Sequence, residues 1–334
     1  MVYLLKRFVY GFFVLVGLSI LMFLLVRVMP GDPVRLVLGP QATQEEVDKL
    51  SHQMGLDRPI FIQYFKYIEN ICLKGELGIS LIERRDVAAI VAQKLPATIE
   101  LVLVSTIIAV VVAIPLGVLA ATHRNGFLDY VSRFLALSGV SLPQFWLCLL
   151  FQLAFGFFLD LLPLTGRIGG SPPTHITGLY LLDSLLTLNF KAFTDSFIHI
   201  LSPAIVLSLS PLANVTRLIR ASMIDELQKD YAQISRARGM SEILVNYKYL
   251  LRNSFSSSLT MIGFLIPLMI GSAFVVETVF AWPGIARFGA GSIINSDFNG
   301  VVGVALVVGA AFVIINIIID ALYAVLDPRI RLNR

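Results

Sequence analysis

The stretch "QKDYAQISRARGMSEILVNYKYLLRN", Gln228 to Asn253, gathers Lys229, Asp230, Arg236, Arg238, Glu242, Lys248 and Arg252 in a chain that is 57% hydrophobic and only 14% charged. What surrounds it decides the fold class. A mean hydropathy of +0.81 over 334 residues leaves too little polar surface to cover a water-soluble globule. Six stretches free of Asp, Glu, Lys and Arg reach spanning length: Phe8 to Val26, Leu101 to His123, Phe134 to Leu159, Ser196 to Thr216, Asn253 to Val276 and Phe298 to Ile319. The expectation is an all-α integral membrane protein with six transmembrane helices, the quoted segment lying between spans 4 and 5. His199, Pro203 and Pro211 make Ser196 to Thr216 the weakest of the six. The apolar run Gly178 to Phe190, which contains Asp183, reads as interfacial or folded outside. Lys6 and Arg7 precede the first run, whose length and lack of a small-x-small cleavage pattern read as a retained helix rather than a cleaved signal.

Lys and Arg in short loops resist translocation, which orients the spans. Lys6, Arg7, Arg124, Arg133, Arg217, Arg220, the basic residues of the quoted segment and the tail Arg329, Arg331 and Arg334 all fall on one side if six helices cross, so both termini are expected in the cytoplasm. Alternation places Gly31 to Glu100 outside. The pI of about 9.1 then reflects topology, and nucleic acid is not an expected partner. Cys72 and Cys148 fall on opposite sides of a membrane boundary, with no expected disulfide and no metal-ligand spacing.

Chemistry is sparse. No Gly-Lys pair exists for a phosphate-binding loop, His52, His123, His175 and His199 are scattered, and no G-x-S-x-G elbow occurs. No catalytic, cofactor-binding or metal-ligating residues are assigned. Asn316 and Asp320 share a face of the last span; a polar pair at the inner boundary is favoured over a pathway lining. In "PGDP", Pro30 and Pro33 stop the first helix and Asp32 is expected to cap or orient the outer loop. In "ETVFAWPGIARF", Trp282 suits the membrane–water interface and Pro283-Gly284 a turn. Glu277 lies near a gate, with pairing to a cation such as Arg287 favoured over contact with cargo.

Within the opening segment Ile224, Leu227, Tyr231 and Ile234 recur at helical spacing and read as one amphipathic helix. After Gly239, Ile243, Leu244, Tyr247 and Leu251 form a second. Gly239 suits a left-handed turn between them. Periodicity alone leaves two readings equal: a surface for a protein partner, or helices lying on anionic headgroups.

The segment "DYAQISRARGMSE" resembles the cytoplasmic signature D-Y-x-x-x-A-R-A-K-G of permease subunits of binding-protein-dependent ABC importers, in the dipeptide, oligopeptide and nickel branch. "MPGDPV", "MGLDRP", "GELGIS", "IPLGVLAA", "LPLTGR", "VVETVFAWPGIARF" and "DALYAVLDPRIR" are similar to that family's landmarks, in order and over nearly the whole chain. Ser235 stands where alanine is usual, Arg238 where lysine is common, and "LRNSFSSSL" lacks a proline that often follows Arg-Asn, which leaves the start of the fifth span open.

The resemblance implies a type I importer permease in a bacterial or archaeal cytoplasmic membrane. Its residues 1–30 would form the first span, 31–98 an extracytoplasmic loop region, and 99–330 a five-helix core with a coupling loop at 221–253. It implies Asp230, Tyr231, Ser235, Arg236, Ala237, Arg238, Gly239 and Met240 as the surface that docks an ATPase, and Glu277, Trp282, Asn316 and Asp320 as candidates for a gate or pathway. Implied partners are a second homologous permease, two ABC ATPase subunits and an extracytoplasmic substrate-binding protein, besides membrane lipid. Peptides are the expected cargo, with nickel, glutathione or oligosaccharide as alternatives. A self-sufficient secondary transporter or channel is the competing class, disfavoured by the absence of an internal repeat.

Overall fold

The computed structural model describes residues 2–28, 43–46, 49, 52 and 58–326. Asp32 and its "PGDP" turn, most of "MGLDRP", and Arg329, Arg331 and Arg334 lie outside the described residues. Among the described residues every regular element is a helix, and no β-strand forms beyond a single bridge between Ile79 and Asp86. Among the described residues five helices are long and apolar enough to cross a membrane, six if one bent pair is counted as a single span.

The chain divides into two compact units. The first comprises residues 1–95 and 288–317. Here α1 (Val2–Val28) meets the last long helix, α11 (Phe298–Leu326), at glycine notches. A Cβ on Gly11 would stand 2.5 Å from Val313 Cγ1, and one on Gly309 would stand 2.2 Å from Leu18 Cδ2. Small residues are what let helices without a water-driven hydrophobic force approach this closely in lipid. Helix α2 (Ile60–Glu69) packs Tyr64 and Tyr67 on Phe23, and the Tyr64 hydroxyl and Ser19 Oγ are 2.8 Å apart. In the same unit Ser80 Oγ donates to buried Asp297 at 2.5 Å, and Asn299 Nδ2 donates to Ile79 O at 2.9 Å.

The second unit comprises residues 96–287 and 318–334. It holds most of α3 (Val87–Thr122), then α4 (Phe127–Ser141), α5 (Gln144–Phe151) continuing as a π-helix over Gln152–Phe158, α6 (Tyr180–Leu186), α7 (Phe190–Leu227) and α8 (Asp230–Ala237). A π-helical segment Leu244–Leu250 leads into α9 (Leu251–Val279); α10 (Ile285–Ile294) begins here, and its residues from 288 onward belong to the first unit.

Four sequence expectations need adjustment. The stretch Phe134 to Leu159, expected as one span, is bent by 110° between α4 and α5. Pro143 has no N–H to donate and disfavours helical backbone at the residue before it, and Leu142 is extended at ψ 137°. Conversely, the span expected to be weakest is the central one. Helix α7 runs unbroken through Pro203 and Pro211 and is the most buried of the long helices. Protein rather than lipid surrounds much of it, the setting in which prolines are tolerated within a spanning helix, and Ser208 Oγ donates back to Ile205 O at 2.7 Å. At 38 residues it is about 57 Å long, against roughly 30 Å of hydrocarbon, so it projects beyond the bilayer. The missing proline after Arg252-Asn253 costs nothing, because α9 runs straight through that point. Finally, Ile224 to Ile234 is not one helix: Lys229 is extended at ψ 148°, so Ile224 and Leu227 end α7 while Tyr231 and Ile234 belong to α8.

Candidate functional site

The described geometry around Gly239 is a Schellman end. Helix α8 closes with Gly239 at φ +77°, its N–H donating to Arg236 O at 2.9 Å and the Met240 N–H donating to Ser235 O at 3.3 Å. This is the two-bond pattern that satisfies the last carbonyls of a helix when a glycine turns left-handed. The expected turn is therefore where the residues put it.

Helix α8 is anchored from beneath. Ala232 is fully buried in one apolar cluster with Ala113, Val118 and Ala121 of α3, Ile219 and Met223 of α7, Val245 and Leu250 of the π segment, and Leu265 of α9. Tyr231 hydrogen-bonds Glu226 through its hydroxyl, which also accepts from Asn253 Nδ2 at 3.1 Å. Burial, and the Glu226 carboxylate beside it, push the Tyr231 phenol above its ordinary value. Lys229 Nζ lies 2.5 Å from Glu226 Oε1, a hydrogen bond that raises the ammonium pKa. Arg236 forms a two-pronged pair with Glu242, its Nε donating at 2.9 Å and Nη2 at 3.3 Å.

Of the eight residues assigned to the surface, Asp230, Ala237, Arg238 and Gly239 are exposed, while Tyr231, Ser235, Arg236 and Met240 are half-buried. Gln233 and Ile234, which the motif reading passed over, complete the exposed face. Ile234 keeps 51% of its surface exposed.

The four gate or pathway candidates separate. Trp282 does not face outward as a residue of an aromatic belt would: it is fully buried, and its Nε1 donates to Ala97 O at 2.9 Å. Glu277 is also fully buried, accepting from Thr98 Oγ1 at 2.5 Å and from the Arg287 amide at 2.8 Å. Its expected partner was the Arg287 guanidinium, but that group donates to Ala281 O at 2.9 Å. Thr98 Oγ1 in turn accepts from the Ile285 N–H at 2.9 Å. Glu277 and Thr98 thus occupy the N-terminal donors of α10, where a carboxylate is electrostatically favoured. On α11, Asn316 Nδ2 turns back to Phe312 O at 2.8 Å, and Asp320 is 8% exposed.

Three carboxylates pin the loop between α5 and α7, and no sequence motif exposed them. Glu100 takes Arg167 Nε at 3.0 Å and Nη2 at 2.5 Å on one oxygen, and the Leu181 N–H at 2.7 Å on the other. The Arg167 guanidinium also lies 3.7 Å from the centre of the Tyr180 ring. Asp183 collects Ile176 N at 3.2 Å, Thr177 N at 2.8 Å and Gly178 N at 2.9 Å, besides the Thr177 hydroxyl at 2.6 Å. Burial pushes its pKa up, but these donors outweigh it and hold the carboxyl below the usual range. Asp195 takes Gly169 N at 3.1 Å and Gly170 N at 2.8 Å and sits 3.0 Å from His199 Nδ1. The Arg of "LPLTGR" was a legible hint to the first of these; its partner lay 67 residues away.

Helices of spanning length, with a polar, Schellman-capped helix between two of them, define an integral membrane protein that presents a polar helical surface. Residues 113–332 match the family described as "Binding-protein-dependent transport system inner membrane component", and residues 1–102 match its N-terminal companion. The chain belongs to this family, the permease components of ABC importers. It is 38% identical to the "Probable D,D-dipeptide transport system permease protein DdpB" of Escherichia coli over 95% of this chain and 94% of that one. It is 35% identical to the "Dipeptide transport system permease protein DppB" of Alkalihalophilus pseudofirmus, over 95% and 96%. With the "Oligopeptide transport system permease protein AppB" of Bacillus subtilis it shares 32% identity, over 98% of both chains.

Proposed function

We propose that this permease carries di- or oligopeptides, and that the exposed face of α8 docks into an ABC ATPase subunit. The supporting relatives are named for dipeptide and oligopeptide transport. The observation that carries the docking assignment is the burial of Ala232 in the same cluster as residues of α3, α7 and α9. A helix so rooted passes a push on its exposed face to three long helices at once, because a close-packed cluster shifts as a body. A helix merely floating on headgroups needs no such root. In this reading two ATPases, a second permease and an extracytoplasmic binding protein complete the complex. Both termini and α8 face the cytoplasm, and 160–179 faces outward. Glu277 and Trp282 serve as frame rather than gate.

Cysteine placement tests both halves. In a chain lacking Cys72 and Cys148, Arg238→Cys is expected to cross-link to the ATPase subunit of the assembled complex. Ser171→Cys and Ser241→Cys are expected to react from opposite sides with an impermeant thiol reagent in intact cells. No Arg238 cross-link, with the side assignment intact, sinks docking alone; equal labelling of Ser171 and Ser241 sinks the orientation. Peptide uptake by the chain reconstituted without partners sinks the importer-subunit assignment.

A further inference from the structure

A cavity of about 630 Å³ opens between α4 and the last turns of α7, at the end of α7 that leads into α8. Arg124, Arg133, Arg217 and Arg220 line it, and among the described residues no acidic side chain does. Beside the lining, Asp129 is fully buried and shared: Arg133 Nη2 and Arg220 Nε each reach it at 2.6 Å. Four guanidinium groups against one carboxylate leave an excess of three positive charges. Arg217 donates only to the neutral Asn214 Oδ1, at 3.1 Å, and Arg124 makes no ion pair among the described residues. Buried Thr216 Oγ1, also in the lining, has no hydrogen-bond partner. Like charges gathered without counter-charge repel, so the arrangement is stabilised by an anion.

The walls say which kind. Away from the arginines the cavity is lined by Leu137 and Val140. On α4, Phe127 is 80% and Tyr130 59% exposed, beside the arginines, as in the aromatic belts that mark headgroup depth. A charged mouth at headgroup depth over an apolar wall matches an amphiphile better than a free anion.

We propose that this cavity binds one anionic phospholipid, its phosphate held by Arg124 and Arg217 and an acyl chain lying along Leu137 and Val140. Arg133 and Arg220 are committed to Asp129 and set the field. The site depends neither on the cargo nor on ATPase docking.

The test is native mass spectrometry of the full-length chain, titrated in detergent with phosphatidylglycerol and, separately, with phosphatidylcholine of the same acyl composition. One phosphatidylglycerol per chain should be retained, at least roughly tenfold tighter than phosphatidylcholine, and the Arg124→Gln/Arg217→Gln double variant should lose roughly that preference. The double variant Lys248→Gln/Arg252→Gln removes the same charge elsewhere and should keep it. A diazirine-bearing phosphatidylglycerol should label peptides containing 132–141 and 213–224 in the unmodified chain, which keeps the test decisive should the first double variant fold poorly. Equal retention of both lipids, equal losses in the two double variants, or labelling confined to other peptides overturns the proposal. Inorganic phosphate displacing the lipid at equal concentration would reduce the site to a free-anion pocket, and exclusion of the lipid by an added second permease would make it a protein interface.

Discussion

Asn253 donates its side-chain amide to the Tyr231 hydroxyl at 3.1 Å, tying the start of α9 to α8. The two residues lie at opposite ends of the polar loop, so the bond holds α8 to α9 where the apolar cluster alone would let it pivot. Tyr231→Phe removes this bond and the one to Glu226 together. Net loss is expected at about 1–2 kcal/mol, since Glu226 keeps Lys229 and the ring stays packed. Thermal melting of the purified chain reads the loss. A larger share of ATPase activity should become independent of peptide. Unchanged melting and unchanged coupling would remove Tyr231 from the transmission path.

Gly239→Val forces a β-branched residue to φ +77°, where an L-residue is strained by roughly 1–2 kcal/mol. A Cβ there meets nothing within 4 Å in this chain, so the fold itself bears only that strain. Membrane abundance should hold while uptake and ATPase copurification fall. Retention of both at the unmodified level is the outcome that contradicts docking at this turn.

Gly284→Ala is expected to behave in the opposite way. Its Cβ would lie 2.1 Å from the Glu277 carboxylate, which has no room to retreat. Loss of the α10 N-terminal contacts leaves buried donors unpaired at about 1–3 kcal/mol each, so the chain should drop in abundance before transport is affected per molecule. Size-exclusion profiles of tagged variants decide it; a normal profile would show that the turn relaxes.

Breaking the Arg167–Glu100 pair from one side strands a buried charge, an effect of roughly 3–5 kcal/mol. Arg167→Met should therefore destabilise more than the Arg167→Met/Glu100→Gln double variant. The order is checked by proteolysis of segment 160–179. A double variant as weak as the single one would mean that packing on Tyr180, rather than charge, holds the loop.

Asp183 supplies a pH dependence. Its carboxyl is held below its ordinary range, so the stabilisation is fully present above the unfolded value and is lost on acidification through the lower folded value. The window opens at about pH 4 and extends downward. Asp183→Asn should be less stable than the unmodified chain at neutral pH, and the gap should close below that point. A gap that persists unchanged in acid would remove the carboxylate charge as the cause.

The spans and the turn at Gly239 were legible because long apolar runs and a glycine ahead of a second helical pattern are local signals. The break at Lys229 was not: Ile224, Leu227 and Tyr231 pack on one cluster from both sides of the break, so their apolar spacing survives a change of direction, while Ile234 continues the spacing yet points outward. Trp282 misled for a related reason. Its indole N–H satisfies the rule for an interface belt equally well with a backbone carbonyl 185 residues away. Glu100, Asp183 and Asp195 look like scattered acids until folding delivers the amides they receive. Even the bend at Pro143 was visible as a residue and hidden as an angle, because charge counting is blind to backbone.

The glycine notches at Gly11 and Gly309 bear on how the protein is made. Helix α1 leaves the ribosome long before α11 exists, so the surface that receives Val313 is bathed in lipid through most of synthesis. A membrane insertase or the bilayer itself must hold α1 in waiting, and the unit it helps to build closes only when α11 arrives. A translation arrest placed before α11 would leave that helix as an orphan, open to quality-control proteases that the finished chain excludes.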